Sequence, residues 1–127
     1  MFELKFVNHF AAAHQLAMVA KKCENLHGHN WKIEVFIAGE ELNDAGVVMD
    51  FGEIKKHLAE IVKTLDHTFL NELECFQNKN SSSENIARYI TESMQKRISE
   101  PGIRVSRVRT WESDDACATY SLIDIFS

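Results

Sequence analysis

The segment Cys23-Glu24-Asn25-Leu26-His27-Gly28-His29 gathers metal- and proton-handling groups into seven residues. His27 and His29 stand two apart, so on an extended strand both imidazoles project from one face, shared with Trp31, Ile33 and Val35. Two imidazoles at that spacing, with a glycine between them to permit close backbone approach, supply two ligands of a zinc site. His14 is the best candidate for the third, because it follows the first strand and antiparallel pairing of the first two strands would set it near His27. Three histidines leave one position of a tetrahedral ion open, which is the pattern of catalytic zinc. The same pair also occurs as plain strand decoration, and Cys23 as a further ligand would instead close the site into a structural one.

Cys23 has another use. A thiol becomes a base or nucleophile when a cation, a histidine or a metal lowers its pKa. Asp66-His67, at the end of a helical pattern, offers a carboxylate that can orient an imidazole, and that ring can accept a thiol proton. Taken alone, His67 also fits a helix C-terminal histidine favoured by the dipole. Glu112, just past an apolar strand, could accept two N–H bonds from a guanidine-like edge. His9 and His57 read as surface residues, and Cys75 and Cys117 as packed thiols.

These residues need a scaffold, and 127 residues suffice for one domain, 1–127, with a core of its own. With 45% hydrophobic and 26% charged residues, the chain is neither disordered nor fibrous. A net charge of −5 argues against a nucleic-acid or anionic-membrane partner. No apolar run approaches the roughly 20 residues that cross a bilayer. The start Met1-Phe2-Glu3-Leu4-Lys5 does not read as a signal peptide, and three widely spaced cysteines suit a reducing cytoplasm.

Phe2, Leu4 and Phe6 alternate with polar residues, as do Trp31, Ile33, Val35 and Ile37, which predicts two strands. Phe51, Ile54, Leu58, Ile61, Val62 and Leu65 recur at helical spacing behind an Asp50 cap. Ser81 and Glu84 form a capping box ahead of Ile86, Ile90, Met94 and Ile98, a second helix ended by Pro101-Gly102. Ile103–Trp111 and Ala118–Phe126 predict two more strands. The order ββααββ implies an α+β fold, a four-stranded antiparallel sheet with two helices on one face.

Six pieces in order now carry a resemblance: Phe10-Ala11-Ala12-Ala13-His14, Cys23-x-x-x-His27-Gly28-His29, Val48-Met49-Asp50-Phe51, Leu65-Asp66-His67-x-x-Leu70-Asn71, Ser83-Glu84-Asn85-Ile86-Ala87 and Trp111-Glu112. Together they resemble the 6-pyruvoyltetrahydropterin synthase family, and most of all its bacterial 6-carboxytetrahydropterin synthase branch, because only three residues separate the cysteine from His-Gly-His. The resemblance implies the tunnelling fold, in which sheets of several subunits join into a barrel, and a homo-oligomer, a hexamer or tetramer, with sites between subunits. It implies Zn2+ on His14, His27 and His29, Cys23 as general base with Asp66 and His67 as a relay, and Glu112 as the pterin anchor. The implied substrate is 7,8-dihydroneopterin triphosphate and the products are 6-carboxytetrahydropterin, acetaldehyde and triphosphate, on the way to queuosine.

Two features depart from the pattern. Ser81-Ser82 stand where the family has Pro-Thr, and Glu24 beside Cys23 matches a folate-pathway branch that makes 6-hydroxymethyldihydropterin. A 6-pyruvoyltetrahydropterin synthase-like activity is a further alternative, as is a non-catalytic zinc- or pterin-binding module. Lys21, Lys22, Arg107 and Arg109 are triphosphate candidates by charge alone.

Overall fold

A computed structural model describes residues 1–16 and 26–122, without the side chain of His27. The two alternating stretches form long strands, β1 (Phe2–His14) and β2 (His27–Gly39), paired antiparallel from Phe2↔Gly39 to His14↔His27. After a loop turned at Gly46 (φ +79°), helix α1 (Phe51–Lys63) begins under an Asp50 cap that accepts from Gly52 N. A two-residue strand β3 (Thr68–Phe69) and two short 3-10 turns, Leu70–Glu72 and Glu74–Phe76, lead to α2 (Ser83–Arg97). Strands β4 (Ile103–Ser113) and β5 (Ala116–Ser121) complete a sheet of order β3-β1-β2-β4-β5.

The expected α+β architecture is present, with two corrections. The sheet has five strands and is mixed, because β3 pairs parallel to β1 through Ala12↔Thr68 and Ala13↔Phe69. The chain leaving α1 uses the backbone groups that the free edge of β1 would otherwise expose. The helix cap is also displaced by one residue. Ser82, and not Ser81, caps α2 by accepting from Asn85 N, while Ser81 is fully buried and bonded elsewhere.

One core holds the fold. Ile33, Val35 and Ile37 of β2 and Val108 of β4 are buried together with Ile54 and Leu58 of α1 and Ile86, Ile90 and Met94 of α2, so both helices cover the same sheet face. Each such side chain contributes about 1.5–3 kcal/mol by leaving water. On the opposite face Glu34 and Phe36 are also buried, covered by long side chains rather than by a helix. The Arg107 and Arg109 guanidinium groups sit 4.2 and 5.0 Å from the Phe36 ring centroid.

Candidate active site

The site forms where β1 ends and β2 begins. His14, the last residue of β1, is fully buried, and the ladder sets it opposite His27. His29 lies opposite Ala12, so alternation assigns all three histidine positions to the helix-covered face, as the spacing predicted. The His14 and His29 rings meet edge to face with centroids 5.1 Å apart. Trp31 packs against both, 5.1 Å from His14 and 5.3 Å from His29, and its indole N–H donates to Ala12 O at 3.3 Å.

His14 Nδ1 lies 2.7 Å from the Ser81 carbonyl oxygen. A carbonyl can only accept, so in the neutral ring Nδ1 carries the proton and Nε2 keeps its lone pair, the tautomer a metal ligand needs. Ser81 Oγ in turn donates to Asn71 Oδ1 at 2.9 Å.

Glu112 joins the histidines at a β-bulge. Trp111 pairs with Cys117 and Ser113 with Ala116, which leaves Glu112 as the extra residue on β4. Glu112 stands two residues past Thr110, whose Oγ1 donates to Ser83 O, and it faces the same start of α2. Ser83 Oγ donates to Glu112 Oε1 at 2.9 Å, and the same oxygen lies 3.9 Å from His14 Nε2. Ligand atoms of His14, His29 and Glu112 all lie within 4.8 Å of one another. Two imidazoles and a carboxylate are a donor set suited to zinc. The spacing argument treated Glu112 as a substrate contact apart from the metal; the structure brings it alongside.

Asp66 and His67 approach from the edge of β1. Asp66 Oδ1 accepts from Ala11 N at 2.9 Å, and Oδ2 lies 3.4 Å from His67 Nε2. His67 N donates to Ala11 O at 2.6 Å, which helps hold His67 in the left-handed region at φ +56°. Its side chain is 82% exposed and borders an open cleft of about 350 Å³ lined also by Ala13, Gly28, His29 and Asn30. His67 and His29 therefore face one cleft. A second cleft, about 470 Å³, lies between Ser83, Glu84, Glu112 and Cys117–Thr119.

Other expectations fare differently. Cys23, Glu24, Lys21 and Lys22 lie outside the described residues. Cys75 is half-buried, and burial pushes its thiol above the ordinary range, which suits a packed residue; Cys117 is exposed on β5, contrary to expectation, because it sits at the free edge of the sheet. His9 is exposed as expected, whereas His57 is half-buried on α1. Arg107 pairs across the ladder with Phe36, and Arg109 with Glu34, so both stand on the sheet face opposite the histidines. Within one protomer the sheet separates them from His14 and His29. Spacing did not disclose Asn71, Ser81 or Ser83 as site residues. The available signal was three consecutive serines before a helix that needs one cap.

Residues 3–122 match the model of the family described as 6-pyruvoyl tetrahydropterin synthase. A protein of Archaeoglobus fulgidus provisionally named 6-carboxy-5,6,7,8-tetrahydropterin synthase is 41% identical over 109 residues, 86% of each chain. The dihydroneopterin monophosphate aldolase of Pyrococcus furiosus is 38% identical over 107 residues, 84% of this chain and 85% of that one. The solved 6-pyruvoyl tetrahydropterin synthase of Caenorhabditis elegans superimposes with a TM-score of 0.84 at 28% identity, covering 94% of each chain.

Proposed function

This chain belongs to the 6-pyruvoyl tetrahydropterin synthase family, and within it we propose that residues 1–127 act as one zinc-dependent 6-carboxytetrahydropterin synthase domain. The proposed reaction takes 7,8-dihydroneopterin triphosphate and one water to 6-carboxy-5,6,7,8-tetrahydropterin, acetaldehyde and triphosphate, the water supplying the second carboxyl oxygen as the side-chain carbon–carbon bond breaks, a lyase step toward queuosine. The observation that carries this reading is the convergence of His14, His29 and Glu112 beside the strand-paired His27. The short Cys23-x-x-x-His27 gap and the 41% identical relative support the carboxy branch.

His14, His27 and His29 would hold the zinc ion, which when bound would polarise side-chain oxygens of the substrate and acidify the adjacent C–H. Glu112, steadied by Ser83, accepts the 2-amino and N3 protons of the pterin. Cys23, as thiolate, removes the substrate proton, and His67, oriented by Asp66, carries a proton across the cleft it shares with His29. Both clefts are open in a single protomer, which suits a cytoplasmic homo-oligomer, a hexamer or tetramer, whose neighbouring copies complete each site. Among the described residues no helix is long and apolar enough to cross a membrane.

A second reading has support of its own. The Pyrococcus furiosus relative is an aldolase, and Glu24 stands beside Cys23, so a carbon–carbon cleavage giving 6-hydroxymethyldihydropterin is the runner-up. Incubating the zinc-loaded protein with dihydroneopterin triphosphate and identifying the pterin by mass spectrometry decides between them. 6-Carboxytetrahydropterin that disappears in Cys23→Ala supports the first reading. 6-Hydroxymethyldihydropterin that disappears in Glu24→Ala establishes the second. Bound zinc without turnover points to a binding module.

A further inference from the structure

The chain from Asp66 to Asn71 runs along the free edge of β1 like a rail. Asp66 Oδ1 and His67 N hold the two backbone groups of Ala11; Thr68 and Phe69 pair with Ala12 and Ala13; then backbone pairing ends. At that point the Asn71 side chain takes over. Its Oδ1 accepts from Gln15 N at 2.9 Å and its Nδ2 donates to Gln15 O at 2.6 Å, so one amide copies a strand neighbour for the residue after His14. The same Oδ1 accepts from Ser81 Oγ at 2.9 Å, and the Ser81 carbonyl accepts from His14 Nδ1 at 2.7 Å. Three of the four hydrogen bonds available to an asparagine amide are thereby committed to the two segments that flank His14.

Resting on the zinc reading above, we infer that Asn71 is a positioning residue for the metal site. It fixes the backbone just beyond His14 and, through Ser81, the carbonyl that sets the tautomer and ring orientation of His14. A side chain chosen only to fill space at this turn would not need both its donor and its acceptor matched to one backbone residue. A backbone carbonyl as the outer partner of a ligand histidine is a standard way to raise its basicity, and losing such a partner weakens metal binding about 10–100-fold. Asn71 acts one bond further out, and it holds both the carbonyl-bearing residue and the strand end.

The test uses the full chain and zinc alone, by competition with a chromogenic chelator, together with the visible spectrum of the cobalt-substituted protein and the melting temperature of the metal-free protein. Asn71→Ala should weaken zinc binding roughly tenfold or more and alter the cobalt ligand-field bands. Asn71→Asp keeps the acceptor for Gln15 N and Ser81 Oγ but sets a second acceptor against Gln15 O, so it should also weaken zinc binding and shift the cobalt bands. Ser81→Ala, which keeps the carbonyl and removes only the link to Asn71, should give a smaller loss in the same direction, and it carries the test if Asn71→Ala does not fold. Leu73→Ala, on the same turn, is the control: it should lower the melting temperature while leaving affinity and spectrum unchanged. Zinc binding and cobalt bands unchanged in both Asn71→Ala and Ser81→Ala would overturn the inference. Wild-type protein that binds no zinc would overturn the metal reading itself.

Discussion

Strand β2 passes through two environments on one face. Ile33, Val35 and Ile37 lie within the core that both helices cover, together with Ile54 and Leu58 of α1 and Ile86 and Ile90 of α2. Two residues before Ile33, Trp31 turns the surroundings, and His29 and His27 follow on the same face. At this end of the face His14 meets Ser81, Glu112 lies close to His14 and His29, and Ser83 bonds both Glu112 and Thr110. The alternation is identical in both regions. What differs is the opposing surface: helix middles at the centre, a helix N-terminus, a bulge and a loop at the end. Helix middles have their backbone groups satisfied internally and present only side chains. Helix starts and bulges leave backbone and side-chain polar groups that need partners. Thr110 Oγ1 donating to Ser83 O at 2.7 Å is one such bond, and it ties the bulged strand to the first turn of α2. The centre thus carries stability, and the end carries preorganised polar groups.

That division makes its largest prediction at the proposed zinc ligands. His29→Ala should abolish turnover and weaken zinc binding beyond the roughly 10–100-fold expected for an outer partner. It should leave the melting temperature of the metal-free protein within a few degrees of wild type. Chelator competition and metal-free calorimetry measure the two quantities. A metal-free His29→Ala protein as unstable as a core variant would mean that the polar end is part of the core after all.

Next in size is the reverse experiment. Ile33→Ala, at a fully buried position four residues along the same face, should cost about 2–5 kcal/mol of stability. Zinc stoichiometry should stay at the wild-type value under conditions where the variant is folded. Urea unfolding and metal analysis read both, and loss of zinc by the folded variant would break the comparison.

How much of this was legible in the sequence depends on period. Strand β2 and helix α1 announce themselves because Trp31-Ile33-Val35-Ile37 and Ile54-Leu58-Ile61 each repeat long enough to define a face. Strand β3 has two residues, which carry no period, and its pairing depends on Asp66 and His67 gripping a distant strand. Glu112 is a different case: it follows the alternation of Val108 and Thr110 onto the helix-covered face, but a lone glutamate past an apolar strand does not disclose which distant groups it will meet there. Ser81 and Ser82 are chemically alike as caps, so only the observed backbone of α2 separates their roles. The histidines were readable because their chemistry and their strand alternation point the same way.

The opposite face of the sheet sharpens the comparison at a smaller scale, since there a polar group is buried with no metal chemistry attached. Glu34 is 4% exposed, accepts from Trp111 Nε1 at 2.5 Å, and lies 3.3 Å from Lys5 Nζ. Burial pushes its pKa up, but the Trp111 hydrogen bond and the Lys5 and Lys32 charges outweigh it, leaving the group below its ordinary value of 4.5. A carboxyl with a depressed folded pKa contributes stability that is present above the unfolded value and is lost as pH falls through the folded one. Glu34→Gln should therefore be less stable than wild type by about 1–2 kcal/mol at pH 7, with the gap shrinking steadily below pH 4.5. Urea unfolding across that range tests the sign, and a gap that widened on acidification would contradict it.

The finest division falls between two adjacent serines. Ser82 caps α2 by accepting from Asn85 N at 3.2 Å, whereas Ser81 faces Asn71 and His14. Ser82→Ala should cost about 1 kcal/mol, a typical loss for an N-cap. In a chain of 127 residues that lowers the melting temperature by roughly 3–5 °C. Because the cap satisfies a helix amide and touches no ligand, zinc affinity should be unchanged. Calorimetry with chelator competition on the same sample separates the two effects. Equal losses of zinc affinity in Ser82→Ala and Ser81→Ala would mean that the whole start of α2, and not the bond between Ser81 and His14, positions the histidine end of the sheet.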